Sequence, residues 1–244
     1  MIIDPAGPVA NRRYHHKLPW FKSRHLWLFG TMMLYFLMVP LIEQLLPRTR
    51  TILDLFIILV LVAAAYTVID RKRTFFLALV LLVSGMIFVL GDYHWHRNIT
   101  MVLGCVSFVG FLGIVIFSIL KDVMTQKEVS FDTISGSLNG YLLIGMMWGF
   151  AYQAVESAWP GSFAIAEGVH KLAGVSAYVG PQLSSLFYFS FVTITTTGYG
   201  DITPLSTIAG QLAITESVVG QFYMVVLVAR LVSLHTMTSK GNER

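Results

Sequence analysis

Residues 195–201, with the sequence TTTGYGD, have the composition needed to bind a cation through the backbone alone. A cation that gives up its water needs a ladder of carbonyl oxygens, so the chain must direct successive carbonyls to one side. Glycine permits this because it adopts positive φ angles without steric cost. Gly198 and Gly200 therefore predict a backbone that alternates between ordinary and left-handed conformations. Tyr199, between them, is predicted to point outward as a packing strut.

The flanking segments strengthen this interpretation, because Gly-Tyr-Gly by itself is also an ordinary loop tripeptide. Upstream, the apolar run Leu183–Ile194 is too short to span a bilayer and predicts a re-entrant helix. Irregular backbone at membrane depth is tolerated only where protein buries it or where it lines a watery cavity. Downstream, Thr203 is predicted as the N-cap and Pro204 as the first residue of the next long helix.

In this setting, residues 195–201 resemble the selectivity filter of the tetrameric potassium channels. The resemblance implies that the filter includes Gly200 and that the hydroxyl of Thr196 closes its innermost ion site. It also implies that the ion path is lined by the backbone carbonyls of Thr196, Thr197, Gly198 and Tyr199.

Asp201 occupies the position that follows the filter in this family. There the aspartate is held from behind by a pore-helix partner, often a glutamate, but the matching residue in this chain is Val192. Tyr188 is the nearby aromatic residue that offers a hydroxyl. We therefore expect Tyr188 to hold Asp201 and the filter to be braced differently from that of its relatives.

Composition predicts an all-α membrane protein. The chain is 55% hydrophobic and 12% charged, with a mean hydropathy of +0.69, which is too apolar for a soluble domain of 244 residues. Six runs are long enough to span a bilayer, in addition to the re-entrant helix. The predicted spans are His25–Leu46, Ile52–Ile69, Thr74–Gly91, Ile99–Leu120, Asp132–Glu156 and Leu205–Ser233. The first span follows a basic stretch but is too long for a signal peptide, so we expect a retained anchor.

The distribution of basic residues predicts the orientation. With the amino terminus in the cytoplasm, thirteen of the 17 Lys and Arg fall on the inner side, as the positive-inside rule expects. This arrangement predicts a plasma-membrane protein with both termini in the cytoplasm and the filter at the outer face of the membrane. The net charge of +4 is then explained by topology and by contact with anionic lipid, without nucleic acid.

The chain divides into a four-span module and a pore module. The predicted boundaries are a basic tail (1–24), the four-span module (25–120), a cytoplasmic linker (121–131), the pore module (132–233) and a short tail (234–244). The pore module contains the pore helix (183–195), the filter (196–201) and the inner helix (205–233). One filter strand supplies a quarter of a ring, so we expect a fourfold homotetramer. The resemblance is specific over about residues 132–235 and only architectural before them.

Glu216 is an ionisable residue in the upper half of the inner helix, and such residues within a span are functional candidates. Two roles are open. The carboxyl group either faces the cavity as a cation-attracting ring or forms hydrogen bonds behind the pore helix and braces the filter.

Two further residues of the inner helix are candidates for gating. Gly220 resembles the hinge glycine of inner helices in this family, although close helix packing explains it equally well. Arg230 lies about 15 Å further along the helix, where it either snorkels to the interface or contacts the linker as part of an inner gate.

The gating stimulus is not indicated by the sequence. A voltage sensor needs a helix with basic residues at every third position, and residues 99–120 contain none. Eleven residues follow Ser233, too few for a nucleotide-binding or calcium-binding domain. We expect a leak channel, a channel gated at the filter, or one controlled by lipid, pH, tension or another subunit.

Asp92, His94 and His96 form a predicted outer loop with chemistry suited to a proton switch or a zinc site. Aromatic and histidine residues are also common in interfacial belts, which is the favoured explanation.

The sequence predicts a passive potassium channel that is not an enzyme and that needs no cofactor beyond the permeant ions. Three alternatives remain. One is a nonselective cation channel, another is a potassium-transporter subunit, and the third is a non-conducting membrane subunit. Transporter subunits carry four pore repeats in one chain and usually keep one glycine of the motif, whereas this chain has one repeat and both glycines.

Overall fold

Helices make up most of the described part of the chain. The computed structural model describes residues 24–45, 50–95, 98–126, 131–166 and 183–241. These residues form seven helices and one two-stranded sheet. In chain order the elements are α1 (Arg24–Leu45), α2 (Arg50–Thr67), α3 (Lys72–Trp95), α4 (Asn98–Thr125), α5 (Phe131–Ala158), β1 (Phe163–Ile165), α6 (Leu183–Ile194), β2 (Ile202–Pro204) and α7 (Thr207–Gly241).

Every run predicted to span the membrane overlaps a helix, but the helices differ in apolar character. Within the described ranges, three helical segments are long and apolar enough to cross a membrane, namely Lys72–Gly91, Asn98–Thr125 and Thr207–Arg230. In α1 and α2 the apolar segments are shorter, Arg24–Val39 and Leu55–Thr67. The chain is therefore a membrane protein with at least three candidate spans, and the remaining three stay predictions.

Helix α5 is long but less apolar, because it is packed inside the protein. Its buried polar side chains include Ser135, Ser137 and Asn139. The hydroxyls of Ser135 and Ser137 donate to the carbonyls of the residues four positions earlier, at 2.9 and 2.7 Å. The amide of Asn139 donates to the backbone carbonyl of His25 on α1, at 2.6 Å. Because these three donors have acceptors within the protein, α5 can be buried without a uniformly apolar surface.

Glycines let α5 approach its aromatic neighbours closely. A Cβ atom at Gly149 would lie 2.0 Å from Cδ1 of Phe187, and one at Gly145 would lie 2.6 Å from Cε1 of Phe191. Phe187 and Phe191 belong to α6, and their rings also pack edge-on against Tyr35 and Phe36 of α1. Helix α6 is thus held between α5 and α1 by its aromatic face.

The two short strands join the chain after α5 to the chain after the filter sequence. They pair antiparallel, with Phe163 opposite Pro204 and Ile165 opposite Ile202. The prediction that Thr203 and Pro204 open the following helix is therefore wrong. Both lie in β2, and α7 begins at Thr207.

Ser206 supplies the N-cap of α7 in place of Thr203. Its hydroxyl oxygen accepts a hydrogen bond from the amide of Ala209 at 3.2 Å. Pairing with β1 satisfies the backbone of residues 202–204, so the helix starts only where the strand ends. At the other end of the pore module, α4 reaches Thr125 and α5 begins at Phe131. Residues 121–125 of the predicted linker 121–131 therefore belong to α4, and its last residue, Phe131, opens α5. Residues 127–130 lie outside the described ranges.

Two apolar clusters stabilise the described structure. The larger joins α1, α2, α3, α4 and α5 and reaches α6 and α7 through Phe187, Ile194 and Tyr223. The smaller lies beside the filter sequence and is rich in aromatic rings. It contains Tyr152, Val155, Phe163, Leu186, Phe189, Ile202 and Ala209.

Ion pairs connect helix ends on the side of the molecule away from the filter sequence. Arg24 at the start of α1 binds Asp70, between α2 and α3, with Nη2 2.9 Å from Oδ1. The hydrogen bond from Arg24 lowers the pKa of the Asp70 carboxyl. Arg71 forms a second ion pair with Asp122 near the end of α4. These contacts fix the ends of α1, α3 and α4 relative to one another.

The close approach of α5 and α6 can be tested by substituting its glycines. Gly149→Ala should destabilise the protein by about 1–3 kcal/mol, because the new Cβ overpacks against Phe187. The matched control is Gly113→Ala, where a Cβ would lie 4.0 Å from Sδ of Met147, an ordinary contact. Thermal unfolding in detergent should show a lower midpoint for Gly149→Ala only, and equal midpoints for the two variants would contradict this packing.

Candidate cation pathway

Helix α6 ends where the filter sequence begins, and its last carbonyls bind the amides of that sequence. The carbonyl of Val192 accepts from the amide of Thr197 at 2.9 Å and from that of Gly198 at 3.3 Å. The amide of Thr196 donates to the carbonyl of Thr193 at 2.9 Å. Groups that a helix end normally leaves unpaired are thus satisfied by the next segment. The amides of residues 196–198 consequently face the helix rather than the surroundings.

Residues 196–200 alternate in backbone conformation. The φ angles are +58° at Thr196, +60° at Gly198 and +78° at Gly200, whereas Thr197 and Tyr199 between them are not left-handed. Thr196 is the sole non-glycine residue with positive φ in the described ranges, and this conformation is unfavourable for a β-branched side chain. Such strain costs about 1–3 kcal/mol and persists where the surrounding contacts enforce it.

The alternation has a direct consequence for the carbonyl groups. When every second residue is left-handed, successive peptide carbonyls point to the same side of the chain. No hydrogen bond from the described residues reaches the carbonyl oxygens of residues 196–199. Amides bound on one side and unbound carbonyls on the other form a row of acceptors that suits a dehydrated cation.

Threonine hydroxyls cluster at the base of this row. The hydroxyl of Thr195 donates to the carbonyl of Phe191 at 2.6 Å and lies 2.9 Å from the hydroxyl oxygen of Thr197. For the hydroxyl of Thr196, expected to close the innermost ion site, the described part of the chain provides no hydrogen-bond partner. The exposed position of Thr196 leaves the hydroxyl available for that role.

Asp201 connects the end of the filter sequence to three neighbours. Its Oδ2 accepts a hydrogen bond from the hydroxyl of Tyr188 on α6 at 2.6 Å. Its Oδ1 accepts from the amide of Ile202 at 3.0 Å, and its backbone carbonyl accepts from the amide of Ala166 at 2.8 Å. The contact expected between Tyr188 and Asp201 is therefore present in the structure. Val192, whose side chain has no polar group, does not provide it.

Glu216 lies behind α6, within the protein. Its exposed fraction is 0%, and its two carboxyl oxygens contact the hydroxyl of Tyr152 on α5 and that of Ser190 on α6. The sequence left two roles open for Glu216, a ring of charge facing the cavity or a hydrogen-bonded brace behind the pore helix. The buried position and the two hydroxyl contacts fit the brace.

Gly220 lies against the last residue of α6. A Cβ atom there would lie 2.5 Å from Cγ1 and 2.9 Å from the carbonyl oxygen of Ile194. The same carbonyl accepts a hydrogen bond from the hydroxyl of Tyr141 on α5 at 3.2 Å. Helix α7 continues through Gly220 without interruption, so this conformation shows close packing at the glycine and no bend.

Arg230 reaches the end of α4. Its Nη2 donates to the carbonyl of Met124 at 2.9 Å and to that of Gln126 at 2.8 Å. Cationic side chains at helix carboxyl ends are favourable because they complement the partial negative charge there. Arg230 therefore contacts the first part of the predicted linker rather than only solvent.

The predicted outer group falls mostly outside the described structure. Helix α3 includes Asp92 and His94 in its backbone, but their side chains are not described, and His96 lies outside the described ranges. Among the described residues there is no group of three His, Cys, Asp or Glu that could hold a metal ion. The proton switch or zinc site therefore stays a prediction.

Sequence reasoning missed Tyr152 and Ser190, which contact Glu216, and it missed the positive φ of Thr196, a residue that it had placed in the filter. A signal existed for the first two, because Glu216 in an apolar helix requires polar partners on the helices packed against it. Ser190 is a polar residue inside the apolar α6, and Tyr152 is a polar residue near the carboxy-terminal end of α5. For Thr196 the signal was weaker, since threonine itself disfavours positive φ.

Comparison with known proteins supports the same chemistry. A family model described as an ion channel, Ion_trans_2, matches residues 161–236. No curated protein and no solved structure matches the chain. The matched segment covers β1, α6, the filter sequence, β2 and most of α7, which are the elements that build the row of carbonyls. Residues 161–236 are thus similar to ion channels, and they belong to a membrane protein with three described helical segments long and apolar enough to span a bilayer.

Proposed function

We propose that this protein is a potassium-selective channel that conducts passively through a central pore. The observation that carries the proposal is the alternation of left-handed residues at 196, 198 and 200, with the amides of residues 196–198 bound to α6. This conformation turns a short loop into a row of carbonyl acceptors spaced along one line. A row of this kind replaces the hydration shell of potassium.

Four copies are needed to complete the ring, and the surface of one copy favours assembly. Tyr199 is 71% exposed although it is a large aromatic residue in a membrane protein. Helix α7 exposes further large apolar side chains, which include Ile214, Val218, Phe222, Val225 and Val226. In a fourfold homotetramer these surfaces pack against neighbouring copies around the pore.

The remaining organisation follows from this proposal. Six spans and the re-entrant α6 place both termini in the cytoplasm, with residues 25–120 as a four-span module and residues 132–233 as the pore module. Helix α4 has no basic residue from Asn98 to Leu120, so the module lacks the charges that would respond to voltage. We accordingly expect no conventional voltage gating. Membrane lipid is the other expected partner.

Ion selectivity is the direct test of the proposal. Purified protein in a planar bilayer, with potassium on one side and sodium on the other, should reverse close to the potassium equilibrium potential. Gly198→Ala should abolish this selectivity, because alanine at a φ of +60° is destabilised by about 1–2 kcal/mol in each copy.

The matched control is Gly210→Ala on α7. A Cβ atom at Gly198 or at Gly210 would meet nothing within 4 Å in one copy, but only Gly198 has a positive φ. Gly210→Ala should therefore retain the selectivity of the unmodified protein. A reversal potential near zero for the unmodified protein would favour a nonselective cation channel. Unchanged selectivity in Gly198→Ala would reject the filter.

The brace at Asp201 gives a second prediction. Tyr188→Phe removes the hydroxyl that donates to Asp201 while keeping the ring, and hydrogen bonds to charged acceptors contribute about 1.5–3 kcal/mol. We expect faster loss of current during sustained opening, or higher sodium permeability. Tyr66→Phe on α2 removes a tyrosine hydroxyl away from the filter and should behave like the unmodified channel. Identical currents in all three proteins would show that Tyr188 does not support the filter.

The contact of Arg230 gives a third prediction, about the inner gate. We propose that Arg230 couples the inner end of α7 to the end of α4 through the carbonyls of Met124 and Gln126. Arg230→Gln weakens this contact and should change the open probability without changing the reversal potential. Arg73→Gln removes an exposed charge near the start of α3 for which the structure describes no ion pair, and it should leave both quantities unchanged. An equal effect of the two substitutions would assign the change to net charge and not to the contact.

A further inference from the structure

A carboxyl group joins three helices at one buried point behind the filter. Glu216 of α7, Tyr152 of α5 and Ser190 of α6 are each 0% exposed. The hydroxyl of Tyr152 donates to Oε2 of Glu216, while Oε1 lies 2.5 Å from Oγ of Ser190. Oγ of Ser190 is also 2.6 Å from the backbone carbonyl oxygen of Gly145 on α5. The group described here contains three oxygen atoms besides Oε1 and Oε2, those of the Tyr152 hydroxyl, the Ser190 hydroxyl and the Gly145 carbonyl, so its hydrogens can be counted.

The count requires one more hydrogen than the two hydroxyls supply. A tyrosine hydroxyl and a serine hydroxyl each carry one hydrogen, and a carbonyl oxygen carries none. The hydrogen of Tyr152 serves Oε2. The hydrogen of Ser190 can serve either Gly145 or Glu216, but not both at once. If Glu216 were a carboxylate, one of the two short contacts of Ser190 would set two oxygens against each other without a hydrogen between them.

The charges around Glu216 lead to the same result. Helices α5 and α6 and strand β2 pack against α7, and as described they contain no Lys, Arg or His; α4, which carries Lys121, meets α7 at Arg230. Their titratable groups are acids or phenols, and Asp201, which precedes β2, is also an acid. On α5 and α6 these groups are Asp132, Tyr141, Tyr152, Glu156 and Tyr188.

No cation on α7 itself lies close enough to compensate. Tyr223 is the other titratable residue between Glu216 and Arg230, and Arg230 is fourteen residues further along, about 21 Å at helical rise. An ionised carboxylate that is fully buried without a cationic partner is strongly unfavourable, whereas the protonated form removes that charge.

We infer that Glu216 is held as a neutral carboxylic acid whose proton links the pore helix to both helices around it. The hydrogen bonds run from Tyr152 to Oε2, from the protonated Oε1 to Oγ of Ser190, and from Ser190 to the carbonyl of Gly145. Every hydrogen then has one acceptor, and no short oxygen pair lacks a hydrogen. The inference rests on the proposed function only for its effect on conduction.

The position of this proton makes it a pH-sensitive support of the filter. Removal of the proton forces Ser190 to donate to Glu216 and to release Gly145, and it leaves an uncompensated charge beside α6. Helix α6 holds the filter amides through the carbonyl of Val192, so a displaced α6 disturbs residues 196–198. Stability and selectivity are therefore expected to fall as pH rises, since the stabilising form is the protonated one.

Infrared spectroscopy of the purified full chain tests the inference without any measurement of current. The spectrum at neutral pH should contain the carbonyl-stretching band of a protonated carboxylic acid, and this band should disappear at alkaline pH. Glu216→Gln should remove the band. Glu156→Gln is the matched control, because Glu156 is also buried but accepts two backbone hydrogen bonds, from Gly161 at 2.8 Å and Phe163 at 3.2 Å. Its substitution should leave the band in place.

Thermal stability provides the second readout. Glutamine resembles the neutral acid, with a donor for Ser190 and an acceptor for Tyr152, so Glu216→Gln should unfold near the midpoint of the unmodified protein at neutral pH. The midpoint of the unmodified protein should fall as pH rises, and that of Glu216→Gln should fall less. If Glu216→Gln does not fold, Ser190→Ala serves instead, because loss of the acceptor should shift the acid band.

Three results would overturn the inference. They are a carboxylate signal from Glu216 at neutral pH, loss of the acid band in Glu156→Gln, or equal alkaline sensitivity in Glu216→Gln and the unmodified protein. A protein that shows the acid band but no potassium selectivity would reject the proposed function and leave the protonated Glu216 in place. The two proposals can therefore fail separately.

Discussion

The hydrogen bonds from the amides of Thr197 and Gly198 to the carbonyl of Val192 are the contacts on which the conformation of the filter sequence depends. They hold residues 196–198 in an alternating conformation that a threonine would not adopt in an unconstrained loop. A short segment cannot maintain such a conformation by itself, because the strain at Thr196 opposes it. The segment needs a fixed helix end beside it, so the position of α6 determines whether the carbonyls form a row.

Helix α6 is only 12 residues long, and its position is set by what packs around it. Glycines on α5 admit its aromatic rings, and Gly220 on α7 admits its final residue. The hydroxyl of Tyr141 binds the carbonyl of Ile194, and Glu216 binds Ser190 in the middle of the helix. The close approaches at the glycines and the hydrogen bonds act together, so α6 is located both by shape and by hydrogen bonds.

The sequence was informative where a single residue type meets a strict requirement. Gly198 and Gly200 predicted positive φ angles, because glycine adopts them without steric cost. Tyr188 was predicted to bind Asp201, because its side chain offers a hydroxyl close to it in the sequence. The sequence was less informative where partners come from distant parts of the chain. Thr203 and Pro204 look like a helix start, yet pairing with residues 163–165 makes them a strand, and no local pattern reveals that pairing. Likewise, the contact of Glu216 with Tyr152 depends on how α5 and α7 pack, which is a property of the tertiary structure.

Arg230 binds two backbone carbonyls rather than two side chains, and this choice affects how the chain tolerates sequence change. Any residue at position 124 or 126 presents the same carbonyl oxygen, so substitutions there preserve the contact as long as α4 keeps its end. The arginine itself has no such freedom, because its planar guanidinium donates both bonds from one nitrogen. Sequence drift should therefore be broad at the end of α4 and narrow at position 230.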